Sequence, residues 1–247
     1  MYQADIHDAL AIPQWEGLEP ILRRVVEPRA EQWEGQGLAV DLGAGTGLST
    51  CAFAGMLPGL EWLACEPHPA LRACLVTRVL CAGVRDRTTC CEWDAAYLVQ
   101  NLDEPVSFFS AMNMLGHVQE DERKALWRWL AQHLTEDGFA VVGPFVEHAV
   151  TATASEETVY AREQVGRRTY EGAARPELTP DGGVWHMTWR ILEDGHVLDE
   201  RRATSSWDSL TREGVAIEAR AAGLEAELLP ADLLLLSACA PSRTSAR

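Results

Sequence analysis

Three glycines at alternate positions follow a short apolar run and an acid. The stretch Val40–Thr50 reads VDLGAGTGLST, with Asp41 two residues before Gly43 and further glycines at Gly45 and Gly47. A residue without a side chain lets the backbone approach a ligand closely, so a glycine turn between a strand and a helix is a ligand-binding device in α/β proteins. Several ligand classes use this device, and the neighbouring residues must distinguish them.

Two nucleotide classes fit this glycine turn poorly. The dinucleotide fingerprint G-x-G-x-x-G needs its third glycine at position 48, where the chain has Leu48. A phosphate-binding P-loop needs a lysine after its last glycine, and this stretch contains none. The sequence therefore disfavours nucleoside triphosphates and leaves an NAD-dependent oxidoreductase only as a lower-ranked alternative.

An acid stands where the ribose of an adenosine ligand would need one. The second apolar run, 60–66, ends in Glu66, which lies 66 − 43 = 23 residues after the first glycine. In nucleotide-binding α/β folds, an acid about 20 residues beyond the glycines accepts hydrogen bonds from the ribose hydroxyls. Glu66 therefore supports an adenosyl ligand independently of the glycines.

The motif D-L-G-A-G-T-G, between a strand and a helix, resembles the first motif of the class I S-adenosylmethionine-dependent methyltransferases. Their small-molecule, natural-product branch is the most similar. The resemblance implies S-adenosylmethionine as cofactor, with S-adenosylhomocysteine as product. It also implies that Asp41 forms hydrogen bonds near the cofactor amine, that Asp94 contacts the adenine amino group and that Trp93 covers the base. The expected cofactor-binding residues are Asp41, Gly43, Ala44, Gly45, Gly47, Glu66, Pro67, Trp93, Asp94, Ala95 and Met112.

The segment after the fourth apolar run is expected near the transferred methyl group. Asn113 is followed by Met114 and not by two prolines, so the motif for exocyclic amines of nucleobases is missing. No carboxylate lies within 106–116, so no metal is expected. His117 is a candidate general base because imidazole titrates near neutral pH. His186 is a second candidate. The alternative for His117 is a structural hydrogen bond, and the alternative for His186 is a position on one face of a hairpin.

Alternating apolar runs and helical segments predict an α/β fold. They indicate a doubly wound, Rossmann-like sheet of seven strands that forms the cofactor-binding core from residues 1–146 and 206–247. The runs of strand length lie at 38–43, 60–66, 88–93, 106–115 and 139–146, with two closing strands in 226–240.

The alternation stops between residues 147 and 205, which are expected to form an inserted β-rich cap that binds the acceptor. Two strand-like runs, 184–192 and 196–207, are joined by E-D-G and predict a β-hairpin. Aromatic residues with few polar groups are usual in small-ligand pockets. The expected acceptor contacts are Tyr160, Trp185 and Trp189, together with Asn113, but the three cap aromatics could equally pack the hairpin onto the core.

Composition limits the partners of the 247-residue chain. A formal net charge of −16 repels a phosphate backbone, so no nucleic acid is expected. The longest apolar stretch, near Leu233–Leu236, is too short to span a bilayer, and no signal segment is evident. Seven cysteines without a C-x-x-C pair indicate reduced thiols. These features favour a cytoplasmic protein without a membrane partner.

The expected reaction is in-line transfer of a methyl group to an oxygen or nitrogen of a small organic acceptor. Two alternatives stay open: the same chemistry on a peptide natural product, for example on a carboxylate, and a non-catalytic protein that retains the fold. A group of arginines between Arg162 and Arg202 would favour an acidic acceptor, or would simply balance neighbouring acids. The hairpin could also serve as a homodimer contact.

Overall fold

The computed structural model describes residues 4–30, 37–145, 156–179, 182–206 and 210–239. The chain divides into two units. The larger unit contains the described residues of 23–146 and 210–247, and the smaller contains those of 1–22 and 147–209. Residues 1–22, assigned to the core in the sequence analysis, thus group with the segment 147–209.

Six α-helices and eleven strands occur in the described residues. The helices are α1 (Ala4–Ala30), α2 (Leu48–Met56), α3 (Pro69–Cys81), α4 (Ala95–Asn101), α5 (Glu120–His133) and α6 (Arg212–Ala221). The strands are β1 (Leu38–Leu42), β2 (Glu61–Cys65), β3 (Thr88–Cys91), β4 (Val106–Met112), β5 (Leu134–Gly143), β6 (Thr158–Val165), β7 (Arg168–Thr179), β8 (Gly182–Glu193), β9 (His196–Ser206), β10 (Leu224–Leu229) and β11 (Leu233–Ala238). Within the described part of the chain, the helices are all too short or too polar to cross a membrane.

The larger unit is built on a seven-stranded sheet in the order β10-β11-β5-β4-β1-β2-β3. The five strands from β5 to β3 pair in parallel, whereas β11 runs antiparallel to both β5 and β10. All seven residues of β4 are buried, as expected for a parallel strand that is covered on both faces. The predicted seven-stranded sheet and its antiparallel closing pair are confirmed.

Helices cover both faces of this sheet. On one face, Phe108 of β4 packs against Phe53 of α2, with ring centroids 5.0 Å apart. On the other face, Phe109 packs against Trp129 of α5, at 6.3 Å. Successive side chains of a strand point to opposite faces, so this one dipeptide contacts both helical layers. The doubly wound, Rossmann-like α/β fold is therefore confirmed.

The smaller unit contains a four-stranded antiparallel sheet in the order β6-β7-β8-β9. Strands β8 and β9 form the predicted hairpin, with Asp194 and Gly195 at positive φ in its turn. Strands β6 and β7 were not predicted. The edge strand β6 is exposed over most of its length, and the buried centre of β7 consists largely of glycine and alanine, so neither shows apolar alternation. The β-rich character of this segment is confirmed.

Candidate functional site

The glycine turn joins β1 to α2 and is held by main-chain hydrogen bonds. Gly43, Gly45 and Gly47 have φ angles of 70°, 57° and 89°, a region that L side chains rarely adopt. The carbonyl oxygen of Cys65, at the end of β2, accepts from the amides of both Gly43 and Ala44 at 2.9 Å. The turn is therefore fixed to the neighbouring strand before any ligand is present.

The glycines are also required by contacts within the protein. A Cβ atom on Gly43 would lie 2.7 Å from Cβ of Met114, and one on Gly47 would lie 2.8 Å from Cδ1 of Leu75. The approach of a ligand was the reason expected for the missing side chains, and it stays a prediction. Positive φ angles and protein packing already exclude side chains at these two positions.

Glu66 binds the glycine turn through its carboxylate. Its Oε2 atom accepts from the amide of Gly45 at 2.8 Å, and its Oε1 atom accepts from the amide of His68 at 2.8 Å. The side chain is buried, and the guanidinium of Arg72 donates to the carbonyl oxygens of Glu66 and Pro67. Each carboxylate oxygen can accept a second hydrogen bond. Glu66 therefore presents fixed acceptors beside the glycine turn.

Asp41 forms hydrogen bonds within the protein. Its carboxylate is fully buried and accepts from the hydroxyls of Ser49 and Thr50 of α2, at 2.7 and 2.5 Å, and of Ser110 of β4, at 2.7 Å. Burial raises the pKa of Asp41, and the three hydroxyl groups act in the opposite direction. The carboxylate thus joins β1, β4 and the start of α2, which is a positioning role, and its hydrogen bond near a cofactor amine stays a prediction.

Asp94 is the N-cap residue of α4, and its side chain is exposed. Its Oδ1 atom accepts from the amide of Tyr97 at 2.8 Å, which is an N-cap interaction. Trp93 packs against the ring of Tyr97, with centroids 5.1 Å apart. The amide of Ala95 lies in the first turn of the helix, where N–H groups have no intrahelical partner. An exposed carboxylate, an indole and a first-turn amide therefore follow β3 in sequence.

The segment after β4 contains Met112, Asn113 and His117. Met112 is buried at the end of the strand. Asn113 is exposed and has a φ of 53°, and its backbone N–H donates to the carbonyl of Gly143. His117 closes a 3-10 turn over Leu115–His117. Neighbouring protein atoms hold the pKa of His117 below its ordinary value, while the charge of Glu66 acts in the opposite direction. His117 therefore lies within electrostatic reach of Glu66.

One edge of the sheet carries all of these groups. Strands β4, β1, β2 and β3 are consecutive neighbours and run parallel, so the residues that follow their carboxyl ends share one edge. In doubly wound folds, ligands bind in the crevice at this edge, where the strand order reverses. The residues that occupy it are Gly43, Ala44, Gly45, Gly47, Glu66, Pro67, Trp93, Asp94, Ala95, Met112, Asn113 and His117.

The other predicted residues lie in the four-stranded sheet. Tyr160 crosses the face of Gly172, where a Cβ atom would lie 2.5 Å from Cζ of the tyrosine, and the indole of Trp189 hydrogen-bonds with its hydroxyl. Trp185 lies four residues before Trp189 on the same strand and face. His186 lies on the opposite face, and its Nε2 atom is 2.6 Å from Oε2 of Glu177. The structure thus brings the three aromatic residues onto one face and pairs His186 with an acid.

The arginines of this sheet are paired with carboxylates. The pairs are Arg162–Glu171, Arg167–Asp194, Arg168–Glu193, Arg175–Glu177, Arg201–Asp5 and Arg202–Glu200. The guanidinium groups therefore balance neighbouring acids. This arrangement favours the simpler of the two interpretations given to the cluster and removes the feature that favoured an acidic acceptor.

Sequence reasoning missed the residues that support the site. Ser110 is one of two serines, with Ser107, in the buried strand β4, and a buried hydroxyl indicates a polar partner nearby. That signal, with the hydroxyls of Ser49 and Thr50 just after the glycines, could have located the partners of Asp41. Met114 gives no comparable signal, since its packing on Gly43 depends on the tertiary structure.

Solved structures with the same fold include several methyltransferases. DesVI of Streptomyces venezuelae superposes with a TM-score of 0.74 at 16% identity, over 97% of this chain and 99% of that chain. CalS10 of Micromonospora echinaspora, an amino pentose methyltransferase of calicheamicin biosynthesis solved with S-adenosylmethionine bound, gives 0.69 at 17%, over 91% and 92%. KedS8, a sugar N-methyltransferase of Streptoalloteichus, gives 0.67 at 17%, over 92% and 88%.

The sequence itself matches no protein-family model and no curated protein. At identities of 16 to 17% the similarity concerns the course of the backbone. It includes both the seven-stranded sheet and the inserted strands, since the superposition with DesVI covers 97% of the chain. The chain has the fold of the S-adenosylmethionine-dependent methyltransferases.

Proposed function

We propose that the protein transfers a methyl group from S-adenosylmethionine to a nitrogen or oxygen of a small organic molecule. The observation that carries this proposal is the hydrogen bond between the amide of Gly45 and the carboxylate of Glu66, at 2.8 Å. It joins the glycine turn and the acid that were identified separately in the sequence. Because this hydrogen bond holds the turn and the carboxylate together at one sheet edge, hydrogen-bond acceptors for an adenosyl ligand are already in place.

The residues at this edge fit the chemical groups of the proposed cofactor. Glu66 would accept from the two ribose hydroxyls, and Asp94 would accept from the adenine amine. The first-turn amide of Ala95 would donate to a ring nitrogen, with Trp93 beside the base. When bound, S-adenosylmethionine supplies a methyl group that is already activated by the sulfonium. The chain therefore needs chiefly to orient the acceptor and to exclude water.

His117 is the proposed general base. A base is needed only where the acceptor holds a proton at neutral pH, as an alkylammonium group does. Because the pKa of His117 lies below its ordinary value, the imidazole is neutral and able to accept a proton at pH 7. His186 is a weaker proposal, since Glu177 already occupies one of its ring nitrogens.

An amine on a sugar is the acceptor class that we propose first. KedS8 and CalS10 are described as sugar N- and amino pentose methyltransferases. We propose that the segment 147–205 binds the acceptor through the aromatic face of Tyr160, Trp185 and Trp189. Asn113 of the core is a separate proposal for an acceptor contact. We also propose a cytoplasmic location and leave a homodimer as a proposal for sizing experiments.

Isothermal titration of the full chain with S-adenosylmethionine and S-adenosylhomocysteine tests the cofactor. Both should bind, and Glu66→Gln should weaken both about 10- to 100-fold through the loss of charged hydrogen bonds. Glu61→Gln is the matched control, because Glu61 lies exposed at the opposite end of the same strand. Its affinity should stay within about twofold of wild type. Absence of heat with both ligands would overturn the proposal.

An acceptor screen separates the acceptor classes. Amino sugars, their hydroxyl counterparts and acidic peptides are incubated with enzyme and S-adenosylmethionine, and S-adenosylhomocysteine and methylated products are measured by mass spectrometry. We expect product with amino sugars and none with acidic peptides. Cofactor binding without turnover of any acceptor would favour a non-catalytic protein with this fold.

A further inference from the structure

Two cysteines end neighbouring strands beside the glycine turn. Cys65 is the last residue of β2 and Cys91 is the last residue of β3, and the two are direct partners in the parallel register. Their Sγ atoms are 3.5 Å apart. Neighbouring strands lie about 4.8 Å apart, and disulfides form across Cα separations of about 4.4 to 6.8 Å. The backbone thus already satisfies the distance requirement for a disulfide.

The main chain of both cysteines holds the proposed cofactor site. The carbonyl of Cys65 accepts from the amides of Gly43 and Ala44, each at 2.9 Å. The carbonyl of Cys91 accepts from the amide of Glu66 at 2.9 Å. A change in the backbone at either cysteine is therefore transmitted through one hydrogen bond to the glycine turn or to Glu66.

The two thiols differ in reactivity. Cys65 is fully buried, whereas Cys91 is partly exposed. The hydrogen bond between the two thiols holds the pKa of Cys91 below its ordinary value, and the same hydrogen bond together with burial raises the pKa of Cys65. An oxidant should therefore react first at Cys91, the thiol that reaches solvent and ionises more readily.

We propose that Cys65 and Cys91 form a reversible disulfide that weakens cofactor binding at the glycine turn. The oxidant is a peroxide. The thiolate of Cys91 attacks one oxygen of hydrogen peroxide, which gives a sulfenic acid and releases hydroxide. The thiol of Cys65 then attacks that sulfur, which forms the S–S bond and releases the oxygen as water. Two thiols are oxidised and one peroxide is reduced.

Closing the bond should disturb the site. The strand spacing permits the bond, but the sulfur atoms must still approach from 3.5 Å to about 2.05 Å with a Cβ–S–S–Cβ dihedral of about 90°. Because side chains in a close-packed core have little room to rotate, we expect the strand ends to shift as the bond closes. Both carbonyls that hold the glycine turn and Glu66 belong to those strand ends. A strained disulfide is also more readily reduced, so a dithiol should restore the reduced state. The predicted effect on affinity rests on the proposed function, but formation of the bond does not.

The experiment treats the full chain with hydrogen peroxide and maps its peptides without reduction. We expect a Cys65–Cys91 cross-link and an intact mass lower by two hydrogen atoms. In calorimetry, oxidation should weaken S-adenosylmethionine binding at least about tenfold, which corresponds to about 1.4 kcal/mol. Dithiothreitol should restore the affinity. Absence of the cross-link, or a predominant cross-link between other cysteines, would overturn the proposal.

Serine variants supply the controls, and each is compared with itself before and after oxidation. Cys91→Ser and Cys65→Ser should lose both the cross-link and the change in affinity. Cys90→Ser should retain both, because Cys90 precedes Cys91 but points to the opposite face of β3. A cross-link with unchanged cofactor affinity would refute the coupling. If reduced protein binds no cofactor, the proposed function fails, and hydrogen exchange at Gly43–Gly45 then decides whether the disulfide alters the turn.

Discussion

Asp41 in the larger unit and Glu171 in the smaller unit are both buried carboxylates, but their hydrogen-bond partners differ. In the seven-stranded sheet, Asp41 accepts from three neutral hydroxyl groups. In the four-stranded sheet, Glu171 accepts from two guanidinium groups, those of Arg162 and Arg190. Burial raises the pKa of Asp41 despite its hydroxyl partners. Burial acts the same way on Glu171, but its guanidinium partners outweigh burial and leave its pKa below the ordinary value.

The difference separates two uses of a buried acid. Neutral donors position a carboxylate without cancelling its charge, whereas guanidinium groups cancel it. Glu66 follows the first pattern, since backbone amides are its hydrogen-bond donors. Neutral donors therefore position the carboxylates of the larger sheet, an arrangement that suits a site for a sulfonium cation. The smaller sheet uses its acids to join its own strands.

Replacing Asp41 should produce the largest loss of stability. Asp41→Ala leaves three buried hydroxyls without their acceptor, and we expect a decrease of about 3 kcal/mol in the free energy of unfolding, measured with urea. Asp41→Asn keeps the shape and one acceptor oxygen and should lose less. A loss below about 1 kcal/mol in the alanine variant would show that the hydroxyls find other partners.

The same carboxylate predicts the sign of a pH effect. Because folding raises the pKa of Asp41 above its ordinary value of 3.8, ionisation of this group opposes folding. That cost is absent below pH 3.8 and grows as the pH rises through the folded pKa. Asp41→Asn lacks this cost, so its stability relative to wild type should increase with pH. A difference independent of pH would contradict the assignment.

Gly43→Ala should have the next largest effect. The substitution places a Cβ atom 2.7 Å from Met114 at a φ of 70°, and we expect a loss of about 2 kcal/mol together with weaker cofactor binding. Gly55→Ala is the matched control, because Gly55 lies exposed in α2 with no atom within 4 Å of its Cβ position. Its stability should be unchanged or increase by about 0.5 kcal/mol. Equal losses in both variants would contradict the packing argument.

Arg190→Ala tests the ion pairs of the smaller sheet. Arg190 donates to Glu157, Glu171 and Glu200 at 2.6, 3.0 and 2.8 Å, and we expect a loss of about 1 to 2 kcal/mol. Arg167→Ala, at an exposed ion pair, is the control and should change stability by less than about 0.5 kcal/mol.

Acidification should remove a contribution of Glu171 to the stability of this sheet, whereas it removes a cost to stability at Asp41. The folded pKa of Glu171 lies below its ordinary value of 4.5. Its contribution to stability is therefore present above pH 4.5 and is lost as the pH falls through the folded pKa. Arg190→Ala should reduce this acid-dependent loss, and urea unfolding at several pH values measures it. An unchanged pH dependence would contradict the role given to Arg190.

The smallest effect concerns His117. Its imidazole should titrate below the ordinary value of 6.5 in an NMR titration of the full chain. Glu66→Gln should lower the pKa further, since the charge of Glu66 favours the protonated ring. Glu61→Gln should leave the titration unchanged. If Glu66→Gln raised the pKa, the two side chains would not interact as described.

The larger sheet and the residues at its carboxyl edge were predictable because local patterns determine them. Apolar runs of strand length, the glycines after β1 and Glu66 after β2 each indicate a position at the carboxyl edge. The strands β6 and β7 were not predictable in this way. Tyr160 and Gly172 form a matched pair across these strands, but a glycine in sequence gives no sign of the aromatic ring that covers it.

The sequence predicted where the candidate site residues lie in the fold more fully than which residues they contact. Glu66 and Asp94 lie where the motif places them, whereas the partners of Asp41 depend on residues of β4 and α2. Ser110 is 69 residues from Asp41, and a pairing at that separation follows from strand order and register, which local spacing does not encode. The contact of Met114 with Gly43 was missed for the same reason.

The hydrogen bonds to the carbonyl of Cys65 have a consequence for how this fold tolerates sequence divergence. A carbonyl is present in every residue, so mutations at position 65 can alter the side chain without removing the acceptor for the bend after β1. Divergent chains can thus preserve this bend while sharing few residues. The bend would then be held by peptide groups, which are the same whatever the amino-acid identity at position 65.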